Sequence, residues 1–325
     1  MERHPSPVAR RQEGTWAEVL RPGLLSSLQD LGRRARHLGV PETGVMDVPA
    51  CRIANALVGN EPDAPVLELT LLGPTLRFQS AATIALCGAP FGARLDGASV
   101  PLWRAVRVPA GGVLDTGATP QGVRAVLAVR GGWQAEVVME SASTDLRGGF
   151  GGMQGRAIRK GDVLAWNAAE HRPVPRGSVD PALRSRVGRW ATLHVLPTGE
   201  GDPSALLGRT FTVSGGADRM GLRLVEGVPS TPDPARLSEP TVLGGVQLPP
   251  GGAPIILLND AGTHGGYLMP IAVIGADRGR LAQLRPGDRL KFVPVTLDEA
   301  EAAAQRQERD LRSVEAGLRL WWTRK

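Results

Sequence analysis

Two halves of this chain echo one another, and the echo limits the possible folds more than any other feature. In the first half, Gly148-Gly149-Phe150 is followed by Arg156-Ala157-Ile158-Arg159-Lys160-Gly161-Asp162-Val163-Leu164. In the second, Gly265-Gly266-Tyr267 is followed by Leu281-Ala282-Gln283-Leu284-Arg285-Pro286-Gly287-Asp288-Arg289-Leu290. Each is a glycine pair with an aromatic residue, then a basic-x-Gly-Asp turn leading into a strand-like run. Gly44-Val45-Met46-Asp47 and Asp218-Arg219-Met220-Gly221 form a second, fainter echo. Duplication of one β-rich unit explains these matches; coincidence in a glycine-rich chain is the alternative. At 325 residues the chain suits two cores of moderate size.

The punctuation is that of strands and turns. Val66–Leu72, Thr83–Leu86, Arg124–Val129, Thr192–Leu196, Thr210–Val213, Pro254–Leu258 and Arg289–Val295 are rich in Val, Leu, Ile and Thr and lie near glycines or prolines. The alternation through Val123–Arg130 suggests a partly exposed strand. One short helix is signalled by Asp47 as cap, Pro49 in the first turn and Gly59 as stop. Leu311, Val314, Leu318 and Trp321 form a helical stripe near the end, supported by Glu308–Arg312 and Glu315–Arg319 pairs. Packing back on its own domain is the expectation for that helix; a partner subunit for Trp321 and Trp322 is the alternative. The expected organisation is a flexible arm (1–15), a first domain (16–166), a Pro- and Arg-rich linker (167–189), a second domain (190–296) and a C-terminal amphipathic helix (297–325). The fold class is mostly β.

Several functions are disfavoured. There is no Gly-Lys dipeptide for a P-loop, no H-E-x-x-H, no C-x-x-C and no G-x-S-x-G. Five scattered histidines form no helical metal pair, so no metal site is expected. Cys51 and Cys87 read as small buried hydrophobes of a reducing, cytoplasmic compartment. No run approaches the length of a membrane span, and no apolar secretory signal opens the chain. The net charge of +6 is spread out and aromatics make up only 4%, which argues against a nucleic-acid role.

Three polar constellations remain. The loop Gly39–Asp47 delivers a capping aspartate to a helix start, where free N–H groups can hold an anion. The run Ser141–Gly152 gathers Ser143, Thr144, Asp145, Arg147 and a glycine cluster; it is either a ligand loop or a tight turn. The third joins Asp218-Arg219-Met220-Gly221-Leu222-Arg223 with Gln247 and the stretch Asn259–Tyr267. There an apolar strand ends abruptly in amide, carboxylate, hydroxyl and imidazole groups, a common way to mount a site on a rigid scaffold. Arg219 and Arg223 suit an anion clamp, or ion pairs with Asp218 or Glu226. Asp260 or His264 suits a base, and Gln247 and Thr263 can orient an amide.

These stretches resemble the KipA-type carboxyltransferase family, also called the 5-oxoprolinase C-subunit or allophanate hydrolase subunit 2 family. The matching segments are SLQDLGRRARHLGVPETGVMD (27–47), ANALVGN (54–60), LELTLLGPTLRF (67–78), STDLRGGFGG (143–152), DRMGLRL (218–224), GGVQLPPGGAPIILLND (244–260), GGY (265–267) and QLRPGDRLKF (283–292). The resemblance implies two tandem cyclophilin-like β-barrel domains. It implies two partners, the KipI-type and the LamB/YcsF-type subunits of 5-oxoprolinase, and an ATP-consuming opening of 5-oxoproline to glutamate. An antagonist of KipI is the alternative; a biotin-dependent carboxyltransferase acting on urea or a similar amide is a third. The candidates for substrate or anion binding are Asp47, Ser143, Thr144, Asp145, Asp218, Arg219, Arg223, Thr263, Gly265, Gly266 and Tyr267, and the catalytic candidates are Gln247, Asp260 and His264; the resemblance marks positions, not roles. The sequence departs from the family pattern at Glu140–Thr144, and at Asp260–Leu268, where an arginine and a glutamine are missing.

Overall fold

The computed structural model describes residues 14–170, 172–175, 177–229 and 236–323. Nearly all of the expected arm lies outside the described residues, as do His4, His171, Arg176 and Arg324. The described chain is mostly β. In the first half, a six-stranded sheet runs Val163–Trp166, Thr15–Arg21, Thr75–Phe78, Val113–Asp115, Arg94–Leu95, Ala98–Ser99 in spatial order. A five-stranded sheet runs Leu25–Gln29, Val66–Thr70, Arg124–Val129, Ala82–Gly88, Ala105–Val108. Leu67, Phe78, Leu127, Trp133 and Trp166 belong to one shared core. The Phe78 and Trp133 rings lie 5.6 and 5.7 Å from Trp166, and the Trp133 indole donates to the Leu127 carbonyl at 2.9 Å. Burying an indole N–H needs that acceptor.

The strand Arg124–Val129 is buried along its whole length rather than partly exposed. One face points into the sheet core. The other, with Val126 and Ala128, is covered by helix α1 (Val48–Val58) through Ile53 and Leu57. Alternation within one strand could not reveal a helix arriving from 70 residues upstream. The local signals of α1 itself are all used: Asp47 accepts from the Ala50 N–H at 3.1 Å, Pro49 sits in the first turn, and Gly59 closes the helix at φ 75°.

In the second half, seven strands run Thr210–Thr212, Arg289–Pro294, Trp190–Pro197, Leu268–Val273, Gly245–Leu248, Ile255–Leu257, Gly221–Arg223. Leu193, Phe211, Ile256, Ile271 and Phe292 fill its core. The stretch 167–189 between the halves has no strand among its described residues, and its one regular element is the short 3-10 turn Pro181–Leu183.

The repeat is physical at one place. Asp162 accepts from the Arg159 N–H at 2.7 Å, and Asp288 accepts from the Arg285 N–H at 3.0 Å. Between them Gly161 and Gly287 adopt φ of 86° and 87°, the left-handed turn that glycine enters without strain. Each turn launches a strand. The pairing then differs: Val163–Trp166 runs antiparallel to Thr15–Arg21, whereas Arg289–Pro294 runs parallel to Trp190–Pro197. The fainter echo is not structural, since Gly44–Asp47 leads into α1 while Asp218–Gly221 turns into a strand.

After helix α2 (Arg278–Leu281), the terminal helix α3 (Leu297–Thr323) packs on both halves. Its main docking partner is α1 of the first half, and it also meets the 3-10 turn Gly275–Asp277 and the strand Trp190–Pro197 of the second. Arg52 reaches both Glu308 (2.6 Å) and Glu315 (2.7 Å), the Trp322 indole donates to the Ala56 carbonyl at 3.2 Å, and Arg130 stacks on Trp322 at 4.1 Å. The periodicity located the helix but could not name the surface it would meet. Arg52→Ala is expected to lower stability by about 2 kcal/mol, because several charge-assisted bonds are lost from a mostly buried guanidinium. Hydrogen exchange should show the loss concentrated in α1 and α3. Arg52 also holds the Glu308 carboxyl below its usual range through a hydrogen bond. A depressed folded pKa contributes stability above the ordinary carboxylate range, lost as pH falls through the folded value, so this clamp loosens only in acid.

Candidate functional site

Strands Gly221–Arg223, Ile255–Leu257 and Gly245–Leu248 are neighbours in the second-half sheet. Their ends, with the segment 261–267, surround a cleft of about 490 Å³. Asp218, Arg223, Gln247, His264, Gly265, Gly266 and Tyr267 all line it. The apolar strand Ile255–Leu257 anchors in the sheet, and the polar residues that follow are thereby delivered to the rim. One lining residue comes from the first half: Arg147, on the glycine loop Asp145–Gly152.

Gln247 lies at the base, 8% exposed, with no hydrogen-bond partner for its amide among the described residues. Gly265 makes room for it, since a Cβ there would stand 2.7 Å from the Gln247 Nε2. Gly265→Ala should therefore push the amide aside and lower ligand affinity or turnover several-fold. The thermal midpoint should hardly move, because the displaced group is the tip of a flexible side chain; calorimetry beside an activity titration checks both. His264 is exposed, with Nδ1 3.0 Å from the Thr263 hydroxyl and Nε2 free of protein partners among the described residues. Asp218 turns its carboxylate back to accept from the N–H groups of Met220 (2.8 Å) and Gly221 (3.1 Å), so it shapes the turn.

Arg223 and Arg147 are both exposed, and neither guanidinium has a partner among the described residues. Arg223 pairs with neither Asp218 nor Glu226; Glu226 is taken up by the Thr212 N–H and hydroxyl. Two cations, one from each half, thus face a cleft with an amide at its base. Such a site suits a substrate carrying carboxylate or phosphoryl oxygens next to an amide.

Arg219 and Asp260 do something else. Arg219 is buried and holds Asp260 with two bonds, at 2.8 and 2.9 Å. It also bonds the Glu68 carboxylate of the first half and donates to the Gly44 carbonyl at 2.8 Å. Glu68 in turn accepts from the Met46 N–H at 2.7 Å. Arg219 therefore fastens the two halves together behind the cleft, and it is not free to clamp an anion. Asp260, held by it, is not available as a base. Burial pulls the Arg219 pKa down, but the Glu68 and Asp260 carboxylates outweigh burial and raise it, so its charge is fixed. Arg124, also buried and 3.9 Å from Glu68, is shifted down by burial, which Glu68 offsets only in part.

The remaining sequence candidates are structural as well. Asp47 caps α1 and accepts from Ser185 Oγ (2.5 Å) and Gln283 Nε2 (2.8 Å), joining helix, linker and second half; burial raises its pKa. Ser143 and Thr144 are fully buried, Ser143 bonding Asp30 and Thr144 donating to the Leu28 carbonyl at 2.8 Å. Asp145 accepts from the N–H groups of Arg147 (3.0 Å) and Gly148 (2.7 Å) and so sets the loop that presents Arg147. Thr263 is 7% exposed, and its hydroxyl lies 3.0 Å from His264 Nδ1. Arg147 stands within the second polar constellation, but its residue type alone does not single it out. Its signal is its place in a glycine cluster, where a loop can reach across to a neighbour. Cys51 and Cys87 are buried and unpaired, and burial pushes both thiols up, away from the reactive thiolate. Among the described residues no cluster of His, Cys, Asp and Glu is placed to hold a metal, and no helix is long and apolar enough to cross a membrane.

Residues 38–294 match the family model described as carboxyltransferase domain, subdomain A and B. The chain belongs to this carboxyltransferase family. It is 38% identical to the 5-oxoprolinase C-subunit of Escherichia coli K12 over 90% of this chain and 95% of that protein. It is 28% identical to urea amidolyase of Saccharomyces cerevisiae, over 93% of this chain but 18% of that one. Among solved structures, the Kluyveromyces lactis urea carboxylase superposes with a TM-score of 0.85 at 27% identity, over 96% of this chain and 30% of the other. The family member thus matches nearly the whole of its bacterial relative and one segment of the long fungal enzymes. The cleft described above lies inside the matched region.

Proposed function

We propose that this chain is a subunit of an ATP-dependent 5-oxoprolinase, working with KipI-type and LamB/YcsF-type subunits. The observation that carries the reading is the composition of the cleft: two unpartnered arginines, one amide and one imidazole, with every nearby carboxylate already committed. The balanced reaction is 5-oxoproline plus ATP plus two waters giving glutamate, ADP and phosphate. A lactam is a poor electrophile, so its oxygen must be polarised or phosphorylated before water attacks the carbonyl carbon.

In this reading Arg223 and Arg147 hold the substrate carboxylate and the oxygen on which negative charge grows. The Gln247 amide bonds the ring amide and fixes its orientation. His264, its ring steadied by Thr263, takes a proton at Nε2 from the attacking water and can return it to the departing nitrogen. The described residues form no strand–loop–helix phosphate cradle at the cleft, so we assign ATP to the assembled complex. An incomplete set of groups supports a site finished by a second polypeptide. Exposed Met220, Val242 and Tyr267 lie on or beside the rim and offer apolar surface for it.

The test is glutamate release from 5-oxoproline with ATP, using this chain with and without both partner proteins. Turnover only in the full mixture is expected; none in the full mixture would sink the proposal. Binding of the KipI-type protein without turnover would favour the antagonist reading. The likeness to fungal urea carboxylase supports a second reading, carboxyl transfer from carboxybiotin on a separate carrier to urea. Consumption of free carboxybiotin with urea would distinguish it.

A further inference from the structure

A second cavity lies away from the cleft, where the linker, the turn 274–280 and helix α3 meet, with a volume of about 380 Å³. Its lining mixes apolar and charged side chains. Ile53, Leu183, Leu311 and Val314 contribute apolar surface. Arg186, Arg280 and Arg306 contribute positive charge, and His194 contributes an imidazole.

The histidine is held in one orientation. The buried Asp277 carboxylate lies 2.7 Å from His194 Nδ1 and accepts the His194 backbone N–H at 2.8 Å. A carboxylate there places the proton on Nδ1 and leaves Nε2 without a partner among the described residues. Arg280 lies 3.4 Å from the same carboxylate group and donates to the Thr192 carbonyl at 2.8 Å. Arg186, from the linker, and Arg306, from α3, have no ion-pair or hydrogen-bond partner among the described residues. Asp310, one turn beyond Arg306, also lines the cavity, and Asp47 is already consumed by Ala50, Ser185 and Gln283. Gln307 donates to the Ala276 carbonyl at 3.1 Å and holds α3 over this wall.

Apolar surface beside cations and a fixed imidazole is the arrangement of a pocket for an amphipathic acid. We propose that this cavity binds a small organic carboxylate with an apolar body, its acid group between Arg186, Arg306 and His194 and its body against Leu183, Leu311 and Val314. Nothing in this proposal depends on the activity assigned to the cleft.

The test uses the full chain and benzoate as probe, followed by the ring ¹⁵N resonances of His194, assigned with His194→Gln. A saturable shift of those resonances is expected with benzoate. Benzyl alcohol, which lacks the charge, and inorganic phosphate, which lacks the body, should bind at least about tenfold more weakly. The exposed pair Arg186→Ala/Arg306→Ala should weaken benzoate about tenfold with an unchanged thermal midpoint. No saturable shift, equal affinity in the double variant, or equal binding of either control would overturn the proposal.

Discussion

Replacing Arg219 with methionine is expected to destabilise the protein by about 3–5 kcal/mol, the range for breaking a buried ion pair from one side. The guanidinium is 5% exposed and bonds Glu68, Asp260 and the Gly44 carbonyl. Removing it leaves two carboxylates in a dry junction, and each must then be protonated or hydrated at a cost. The triple replacement Arg219→Met/Glu68→Gln/Asp260→Asn removes both stranded charges and should recover more than half of the loss. Denaturant unfolding of the three forms measures this. An anion-clamp role for Arg219 predicts the reverse pattern, with little change in stability and a large loss of ligand binding.

The second large effect is catalytic. In the assembled complex, Arg147→Ala and Arg223→Ala should each reduce turnover about a hundredfold, the usual consequence of removing one group that stabilises developing negative charge. Neither should shift the thermal midpoint by more than about 1 °C, since both side chains are exposed and unpartnered, and such surface changes are usually near neutral. Lysine should rescue only in part, because a point charge replaces a planar fork. Similar losses from two residues on different halves would show that one site draws on both. A loss from Arg223 alone would confine the site to the second half.

The sequence is legible where the cause is local. Asp47, Pro49 and Gly59 specify α1, and the turns at Asp162 and Asp288 recur because one carboxylate and one left-handed glycine are enough to build each. The strand Arg124–Val129 is visible, but its full burial is not, since that depends on α1 crossing its outer face. The polar cluster at the end of Ile255–Leu257 is legible as a rim. What stays hidden is the sorting within it. Arg219 turns inward to Glu68, while Arg223, on the strand that follows, reaches the cleft. A carboxylate 151 residues away decides that choice, and no spacing rule reports it. Arg147 is hidden for the same reason, because its place in the cleft depends on how the halves dock.

In the proposed assembly the cleft shared by both halves is the working site, and a second polypeptide closes it. Hydrogen exchange on the chain alone and with the proposed KipI-type and LamB/YcsF-type proteins tests this claim, with 5-oxoproline added last. Assembly should slow exchange in 145–149, 218–223 and 261–267, and substrate should slow it further in those same segments. Slowing confined to other surfaces, with these three segments unchanged by both additions, would contradict the claim.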